Sequence, residues 1–150
     1  MTFLRPATMK DADNLFNWRN DPLTQACFKS TAAVSREDHN QWMQFSVQQG
    51  YPQHIVMIAE DENYGSIGVV RFDAQNDVLT YGVSVTMAPG LRGRGMAQDA
   101  LSQACAYMHE YRLDAEIRKS NIRSRAIFRK CGFELAGESG DFVTYRREPL

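Results

Sequence analysis

A strand, a glycine-rich turn and the start of a long helix follow one another in residues 83–97, which read VSVTMAPGLRGRGMA. Gly93 and Gly95 let the backbone approach a ligand without a Cβ atom in the way. The first N–H groups of the helix have no partners inside the helix and lie at its positive end, where phosphate groups bind. Arg92 and Arg94 add positive charge to the same turn. The stretch therefore predicts a site for phosphate or pyrophosphate.

The turn matches neither of two common nucleotide-binding motifs. A Walker loop has Lys followed by Ser or Thr after its glycines, and the dinucleotide fingerprint spaces its glycines as G-x-G-x-x-G. Residues 90–97 contain neither pattern. On spacing alone, a plain strand-to-helix connection with solvated arginines and general nucleotide binding both remain open.

The composition is that of a globular protein. The 150 residues are 43% hydrophobic and 23% charged, and the formal net charge is −1. That charge argues against a nucleic-acid or membrane-surface binder, which needs a broad basic field. The three cysteines form no CxxC pair and have no metal-ligand spacing, so we expect reduced thiols in a cytoplasmic protein without a metal site. We expect one domain over residues 1–150, with no signal peptide and no membrane span.

Hydrophobic periodicity and turn residues predict the order of the elements. These elements are a strand at 2–5, a helix opened by a capping box at 8–11, a helix capped by Ser35 and stopped at Gly50, strands at 54–60, 66–72 and 78–86, a long apolar-faced helix from Gly95 to Tyr111, a strand at 113–117, a helix at 121–131 ended by Gly132, and strands at 133–136 and 142–147. The short turns predict an antiparallel meander, and the crossover helix predicts one parallel pair. The fold class is therefore α/β (α+β), with a mixed, mostly antiparallel sheet flanked by helices. We expect Ala126, Ile127, Cys105 and Cys131 to face the core.

Two motifs make a family resemblance specific. Residues 92–97, RGRGMA, fit the R/Q-x-x-G-x-G/A signature of the GCN5-related N-acetyltransferase (GNAT) superfamily. Residues 121–133, NIRSRAIFRKCGF, resemble its second conserved segment, N-x-x-S-x-x-x-Y/F-x-K-x-G-F. The two segments occur in the family's order and in matching predicted elements, and the N-terminal strand, helices and meander agree as well. The chain is identified as a member of this superfamily, which implies the GNAT fold and acyl-CoA N-acyltransferase activity, and makes general nucleotide binding unlikely.

The resemblance also implies where acetyl-CoA, the co-substrate, would bind. The cleft would open between the parallel strands at 78–86 and 113–117. A backbone N–H near Val85 would polarise the thioester carbonyl and hold the oxyanion. The turn would cradle the pyrophosphate, and Phe128 would lie near the thiol. The implied cofactor-contacting residues are Val83, Ser84, Val85, Arg92, Gly93, Arg94, Gly95, Met96, Ala97, Asn121, Ser124 and Phe128.

Phe128 departs from the family pattern, because many relatives have a tyrosine there whose hydroxyl protonates the departing CoA thiolate. Phenylalanine cannot donate a proton. Water or another tyrosine would have to serve, or the thiolate would leave unprotonated, since a thiol pKa is about 8.5. The general base is open too: Tyr81 reaches the acceptor if its strand face lines the cleft, and His54 and His39 are candidate proton relays. No cysteine is expected at a nucleophile position, so we expect direct transfer in a ternary complex.

The absence of an obvious carboxylate base bears on the acceptor. Deprotonating a lysine ε-amine at pH 7 costs roughly 4–5 kcal/mol, and deprotonating an α-amine costs about 1 kcal/mol. The oxygen atoms near a sugar amine lower its pKa, so its deprotonation also costs less than that of lysine. Residues 4–7 (LRPA) and 18–21 (WRND), with the spacing of Ser35, His39 and Trp42, resemble amino-sugar N-acetyltransferases of pseudaminic and related nonulosonic acid biosynthesis. Those enzymes acylate a 4-amino group on a nucleotide-linked sugar.

The sequence thus favours a small-molecule amine acceptor, leaning to an amino sugar, in a monomer or homodimer. One alternative keeps the chemistry and changes the acceptor to a protein N-terminus, as in ribosomal-protein acetyltransferases. The other is an acyl-CoA-binding module with weak catalysis, which the loss of the tyrosine at Phe128 suggests.

Overall fold

Seven strands form one mixed sheet in the computed structural model, which describes residues 1–77 and 79–150. The strands are β1 (Thr2–Pro6), β2 (His54–Asp61), β3 (Gly65–Ala74), β4 (Thr80–Met87), β5 (Arg112–Arg118), β6 (Glu134–Ser139) and β7 (Phe142–Arg147). Their order is β1-β2-β3-β4-β5-β7-β6. Strands β4 and β5 are parallel, and the other neighbours are antiparallel. The predicted mixed sheet with its parallel pair is confirmed.

Five α-helices occur among residues 1–77 and 79–150. They are α1 (Ala12–Arg19), α2 (Pro22–Gln25), α3 (Arg36–Trp42, continued by a π-helical turn at Met43–Gln48), α4 (Met96–Tyr107) and α5 (Ile122–Lys130). The short α2 has no counterpart among the predicted elements, although Asp21 caps it and Pro22 occupies its first position. Within the described residues, no helix has both the length and the apolar character to cross a membrane. The predicted strand start at Val78 lies outside the described residues.

Helix α4 is shorter than its apolar pattern. The pattern continues to Tyr111, whereas the helix ends at Tyr107. The N–H of Met108 donates to the carbonyl of Cys105, and the N–H of Tyr111 donates to that of Met108, so the chain tightens and turns into β5. Met108 nevertheless stays buried. The apolar pattern therefore predicts the burial of Met108 correctly, but it overestimates the length of the helix by about one turn.

The core lies in two layers on opposite faces of the sheet. Val69 and Val70 are neighbours on β3 and point to opposite faces. Val70 packs in the larger layer, with Phe72, α4 and the buried end of α5. Val69 packs against the smaller layer, in which α1 and the π-helical turn cover Ile58. Helices α1 and α4 thus pack on the two faces of β4, the strand that borders the candidate site.

The core prediction for α5 is corrected by one position. Ala126 and Ile127 are only partly buried, and the buried residue of the helix is Phe128, at 2% exposure. Ile127 lines a cavity between β4 and β5, which is why its side chain is not enclosed. Cys105 is fully buried as predicted, and Cys131 is half-buried at the edge of the same layer.

Asp11 ties the first helix to β1. Its carboxylate accepts hydrogen bonds from Arg5, at 2.9 and 2.7 Å, and from the N–H of Thr8, at 2.8 Å, which completes the predicted capping box. The Arg5 hydrogen bonds hold the pKa of Asp11 below its ordinary value, against the opposing effect of burial. Because the folded-state pKa is depressed, this stabilisation is present above the unfolded-state pKa and is lost as the pH falls through the folded-state value.

Replacing Asp11 by alanine should lower the free energy of unfolding by about 2 kcal/mol at neutral pH, through the lost charge-assisted bonds and cap. Asp13→Ala is the matched control, because Asp13 is exposed and pairs only with the half-exposed Arg36; its expected effect is below about 0.5 kcal/mol. Urea unfolding at a series of pH values measures both variants. The Asp11→Ala deficit should shrink below about pH 4, and a deficit that is constant with pH would contradict this assignment.

Candidate active site

A cavity opens where β4 and β5 stop pairing. The two strands are paired only from Thr80–Arg112 to Gly82–Asp114. Beyond this point β4 remains paired to β3 and β5 to β7, but β4 and β5 are no longer paired to each other. Residues 83–87 and 115–118 then line a cavity of about 810 Å³. The free edge of β4 offers backbone N–H and C=O groups to a ligand, as a sheet edge does.

One end of the cavity reaches the glycine-rich turn. Gly93 and Gly95 have φ values of 77°, in the left-handed region that favours glycine. Gly95 is the N-cap residue of α4, and no side chain of the described residues caps this helix. The first N–H groups of α4 are therefore available to an anion. Gly93 and Ala97 line the cavity directly.

The arginine beside this turn is Arg123. An atom at the Cβ position of Gly93 would lie 3.7 Å from the Arg123 guanidinium. The two arginines predicted to charge the turn have other partners: Arg92 binds Asp21, at 3.3 Å, and the hydroxyl of Thr24, and Arg94 donates to the Tyr64 hydroxyl at 3.0 Å. Arg92 thus anchors the turn to α2. Arg123 lies in the second motif, at a position that the family pattern leaves open, so the motif did not single it out.

The second motif places three predicted residues along the cavity. Asn121, Ser124 and Phe128 all line it. The side-chain oxygen of Asn121 accepts from the N–H of Ser124 at 3.2 Å, so this group caps α5. Phe128 packs edge-on against Phe133, with ring centroids 5.0 Å apart. The structure therefore brings the predicted segments together around one cavity, with the Asn121 amide in a capping role.

The predicted acid–base residues lie apart from this cavity. Tyr81 is 7% exposed, packs in the larger core layer and donates to the carbonyl of Pro52 at 2.8 Å. Burial raises the pKa of its hydroxyl. His54 binds Asp73 at 2.7 Å and borders a second, smaller cavity of about 370 Å³. His39 is buried, with Nε2 3.0 Å from the carbonyl of Ala12. Tyr81 thus lies outside the described cavity lining, although Val83 and Val85 on the same face of β4 belong to it.

The opposite wall of the cavity comes from a segment that the motifs do not cover. Residues 27–30, which follow α2, line it together with Arg19 and Thr24. The described lining includes the cations Arg19, Lys29, Arg92, Arg118 and Arg123. Its one described carboxylate, Glu116, lies 2.5 Å from Lys29. No group of metal-ligating side chains occurs among residues 1–77 and 79–150.

Cys27 is an exposed thiol in this wall, a placement that the sequence did not predict. Its sulfur donates to the carbonyl of Leu23 and accepts from the Asn121 amide, each at 3.4 Å. Those contacts supply neither a histidine nor a carboxylate to activate it as a nucleophile. Sequence position alone could not place Cys27 here, because Asn121 is 94 residues away along the chain.

Cys27 should be the thiol that alkylating reagents modify first, and CoA should protect it. Burial raises the pKa of Cys105 to about 11 and also raises that of Cys131, so both are poor nucleophiles. Peptide mass mapping after brief iodoacetamide treatment, with and without CoA, measures this. If CoA did not slow the labelling of Cys27, bound CoA would not cover this wall of the cavity. Cys27→Ser should retain activity, which separates protection from catalysis.

The comparisons with known proteins agree with this geometry. The acetyltransferase (GNAT) domain family matches residues 2–134. A spermidine N-acetyltransferase from Vibrio cholerae, solved with CoA and spermine, has a TM-score of 0.82 at 16% identity, over 97% of this chain and 92% of that one. A ribosomal-protein-alanine N-acetyltransferase from Brucella melitensis has a TM-score of 0.81 at 21% identity, over 97% and 99%.

A third similar structure is an aminoglycoside acetyltransferase in complex with coenzyme A. Its TM-score is 0.83 at 18% identity, over 99% of this chain and 95% of that one. No curated protein matches the chain in sequence. At these identities the structural likeness shows the shared fold, and the family match over residues 2–134 shows the membership. The chain belongs to the GNAT family of acetyltransferases.

Proposed function

We propose that this chain transfers an acetyl group from acetyl-CoA to a primary amine of a small molecule, by direct attack in a ternary complex. The observation that carries the proposal is the cavity between β4 and β5, which ends at the uncapped N-terminus of α4. A long ligand with phosphates at one end and a reactive group at the other fits a site of that form. The family match supports the same class of reaction.

Acetyl-CoA would lie along β4 with its pyrophosphate at the start of α4. The backbone of Val83, Ser84 and Val85 would pair with the pantetheine arm as an added strand does. Residues 92–97 would surround the pyrophosphate, which the helix N-terminus and the Arg123 guanidinium favour electrostatically. Asn121, Ser124 and Phe128 would border the arm from α5.

The transfer itself needs few side chains. The free amine attacks the thioester carbon, a C–N bond forms, the C–S bond breaks, and the amine proton passes to solvent. A backbone N–H near Val85 would stabilise the oxyanion, which is usually a large catalytic contribution. Phe128 has no proton to give, so the thiolate leaves unprotonated or takes a proton from water; its pKa of about 8.5 makes either route feasible.

The acceptor we favour is an amino sugar linked to a nucleotide. The single described carboxylate of the cavity, Glu116, is paired with Lys29, so the site lacks a free carboxylate base. Such a site suits amines of low pKa, such as sugar amines and α-amines, because deprotonating them near neutral pH costs little free energy. The similar structures named for spermidine, aminoglycoside and ribosomal-protein-alanine acetylation illustrate how varied the amine is on this fold.

The test is CoA release from acetyl-CoA with purified protein and a panel of amines. The panel holds UDP-linked 4-amino sugars, short peptides with a free N-terminal alanine, and spermidine. CoA should be quantified by chromatography, because a thiol-reactive dye would also modify exposed Cys27. Rapid release with an amino sugar supports the proposal. Rapid release with peptides alone would replace it with N-terminal acetylation, and tight CoA binding without any release would replace it with an acyl-CoA-binding module.

A further inference from the structure

Two arginines fix the wall that faces β4 across the cavity. Arg19, the last residue of α1, donates to the carbonyl of Ser30 at 3.3 Å, and its guanidinium stacks on Phe28 at 3.9 Å. Arg118, the last residue of β5, donates to the carbonyl of Phe28 at 2.8 Å and lies over another aromatic ring. Both arginines line the cavity. They therefore hold one short segment from two sides, and their guanidinium groups are fixed in place before any ligand arrives.

Each of these guanidinium groups keeps a buried nitrogen without a hydrogen-bond partner. The atoms are Nη1 of Arg19 and Nε of Arg118, and neither has a partner within the part of the chain that the structure describes. Within the same residues, neither arginine forms a salt bridge, whereas Arg71 and Lys29 each pair with a carboxylate. An arginine remains protonated in proteins, and an unsatisfied buried donor is costly. Two guanidinium charges beside one cavity, neither paired with a carboxylate of the described residues, indicate a ligand that carries negative charge.

Arg19 and Arg118 are held by a different segment of the lining from the turn proposed for the pyrophosphate. The α4 N-terminus and Arg123 lie at that turn, whereas Arg19 and Arg118 are tethered to the segment at residues 28–30. Burial lowers the pKa of Arg19, and the nearby charge of Arg71 adds to that effect, so a further cation at this wall is unfavourable. A polycationic acceptor would meet repulsion here, and an anionic one would gain bidentate hydrogen bonds.

We propose that Arg19 and Arg118 form an anion subsite for the acceptor, so that the acetylated amine belongs to a molecule that also carries a phosphate or a carboxylate. The inference rests on the proposed acetyl transfer and narrows its substrate class. A nucleotide-linked sugar satisfies it through its diphosphate, and a phosphorylated amino sugar or an amino acid satisfies it equally. Spermidine and aminoglycosides do not satisfy it, because they offer only cationic and neutral groups.

The experiment compares pairs of amines that differ only in the anion: glucosamine 6-phosphate with glucosamine, and glycine with glycinamide. The wild-type protein should favour the anionic member of at least one pair by about tenfold or more in kcat/KM, the worth of one charge-assisted contact. If both pairs show a preference below about twofold, the proposal is overturned. The two pairs also separate a phosphate from a carboxylate requirement.

Variants show whether the preference arises at the arginines. Arg118→Gln and Arg19→Gln should each raise the acceptor KM about tenfold and leave the KM for acetyl-CoA within about twofold. Arg36→Gln is the matched control, because Arg36 also stacks on an aromatic ring, at 4.1 Å from Phe16, and lies outside the cavity lining. A parallel rise in the acetyl-CoA KM would assign the two arginines to the cofactor and overturn the proposal.

A binding measurement distinguishes failure of this inference from failure of acetyl transfer. Calorimetric titration of the CoA-loaded protein with each member of the pairs requires no turnover. Tighter binding of the anionic members without any acetylation would support the subsite and reject the proposed function. Equal binding of both members, together with measurable acetyl transfer, would reject the subsite and keep the function.

Discussion

Gly93→Ala is expected to weaken CoA binding by about 30-fold and to lower kcat/KM for acetyl-CoA by a similar factor, equivalent to about 2 kcal/mol. A methyl group at this position would enter the space beside the α4 N-terminus, 3.7 Å from the Arg123 guanidinium. It would therefore separate the pyrophosphate from the backbone N–H groups that the anion needs. Calorimetric titration with CoA measures the change directly.

Gly90→Ala is the control for this substitution. Gly90 lies in the same turn, has a similar φ of 84°, and would place its Cβ in open space. Both variants should lose comparable stability, about 1 kcal/mol, from an alanine in the left-handed region. Of these two glycines, Gly93 lines the cavity and Gly90 does not. If the two variants bound CoA equally well, the pyrophosphate would not lie at Gly93.

Gly50→Ala is expected to be the most destabilising of the substitutions considered, at about 3 kcal/mol. A Cβ atom there would collide with the carbonyl oxygen of Ser46, and would lie 2.7 Å from the Ser46 carbonyl carbon and 2.9 Å from Cβ of His54. These are backbone and first side-chain atoms, which cannot rotate away. Relief would require moving the π-helical turn away from β2, and that turn covers Ile58 in the smaller core layer.

Gly82→Ala provides the comparison. Its Cβ would also meet an atom at 2.7 Å, but that atom is the terminal nitrogen of the Gln75 side chain. Gln75 can swing outward at the loss of one exposed hydrogen bond, so the expected cost is below about 1 kcal/mol. Thermal and urea unfolding of the two variants measures the difference. Equal destabilisation would mean that the contact at Ser46 relaxes as easily as a side-chain end does.

The parts of the site that the sequence predicts are those encoded over short distances. The strand, the glycines with positive φ and the helix they open lie within residues 83–97, and local backbone preferences specify them. The helix that follows Asn121 is also specified locally, because the Asn121 side chain caps it by accepting a hydrogen bond from the N–H of Ser124, three residues later. The parallel pair follows from a short crossover, which has one favoured hand.

The parts that the sequence does not predict depend on distant contacts. Arg92 meets Asp21 across 71 positions, so its guanidinium pairs with the N-cap residue of α2 and anchors the turn. Tyr81 lies on the predicted face of β4, but its side chain packs in the core, whereas Val83 and Val85 farther along that face line the cavity. Cys27 and the segment at residues 28–30, which the two arginines hold, lie in a loop. Neither hydrophobic periodicity nor capping residues predict where the side chains of a loop lie. In each case the environment of the side chain is set by tertiary packing.

The most direct test of the account follows a deuterated acetyl group from acetyl-CoA, with mass spectrometry of the acceptor and of the intact protein in the same reaction. The account predicts a deuterated acetyl group on the amine of the acceptor, CoA released in equal amount, and no acetylated protein accumulating before the acceptor is added. A stable label on Cys27 that passes to the acceptor afterwards would contradict direct transfer. CoA binding without a label on any amine would contradict the proposed function.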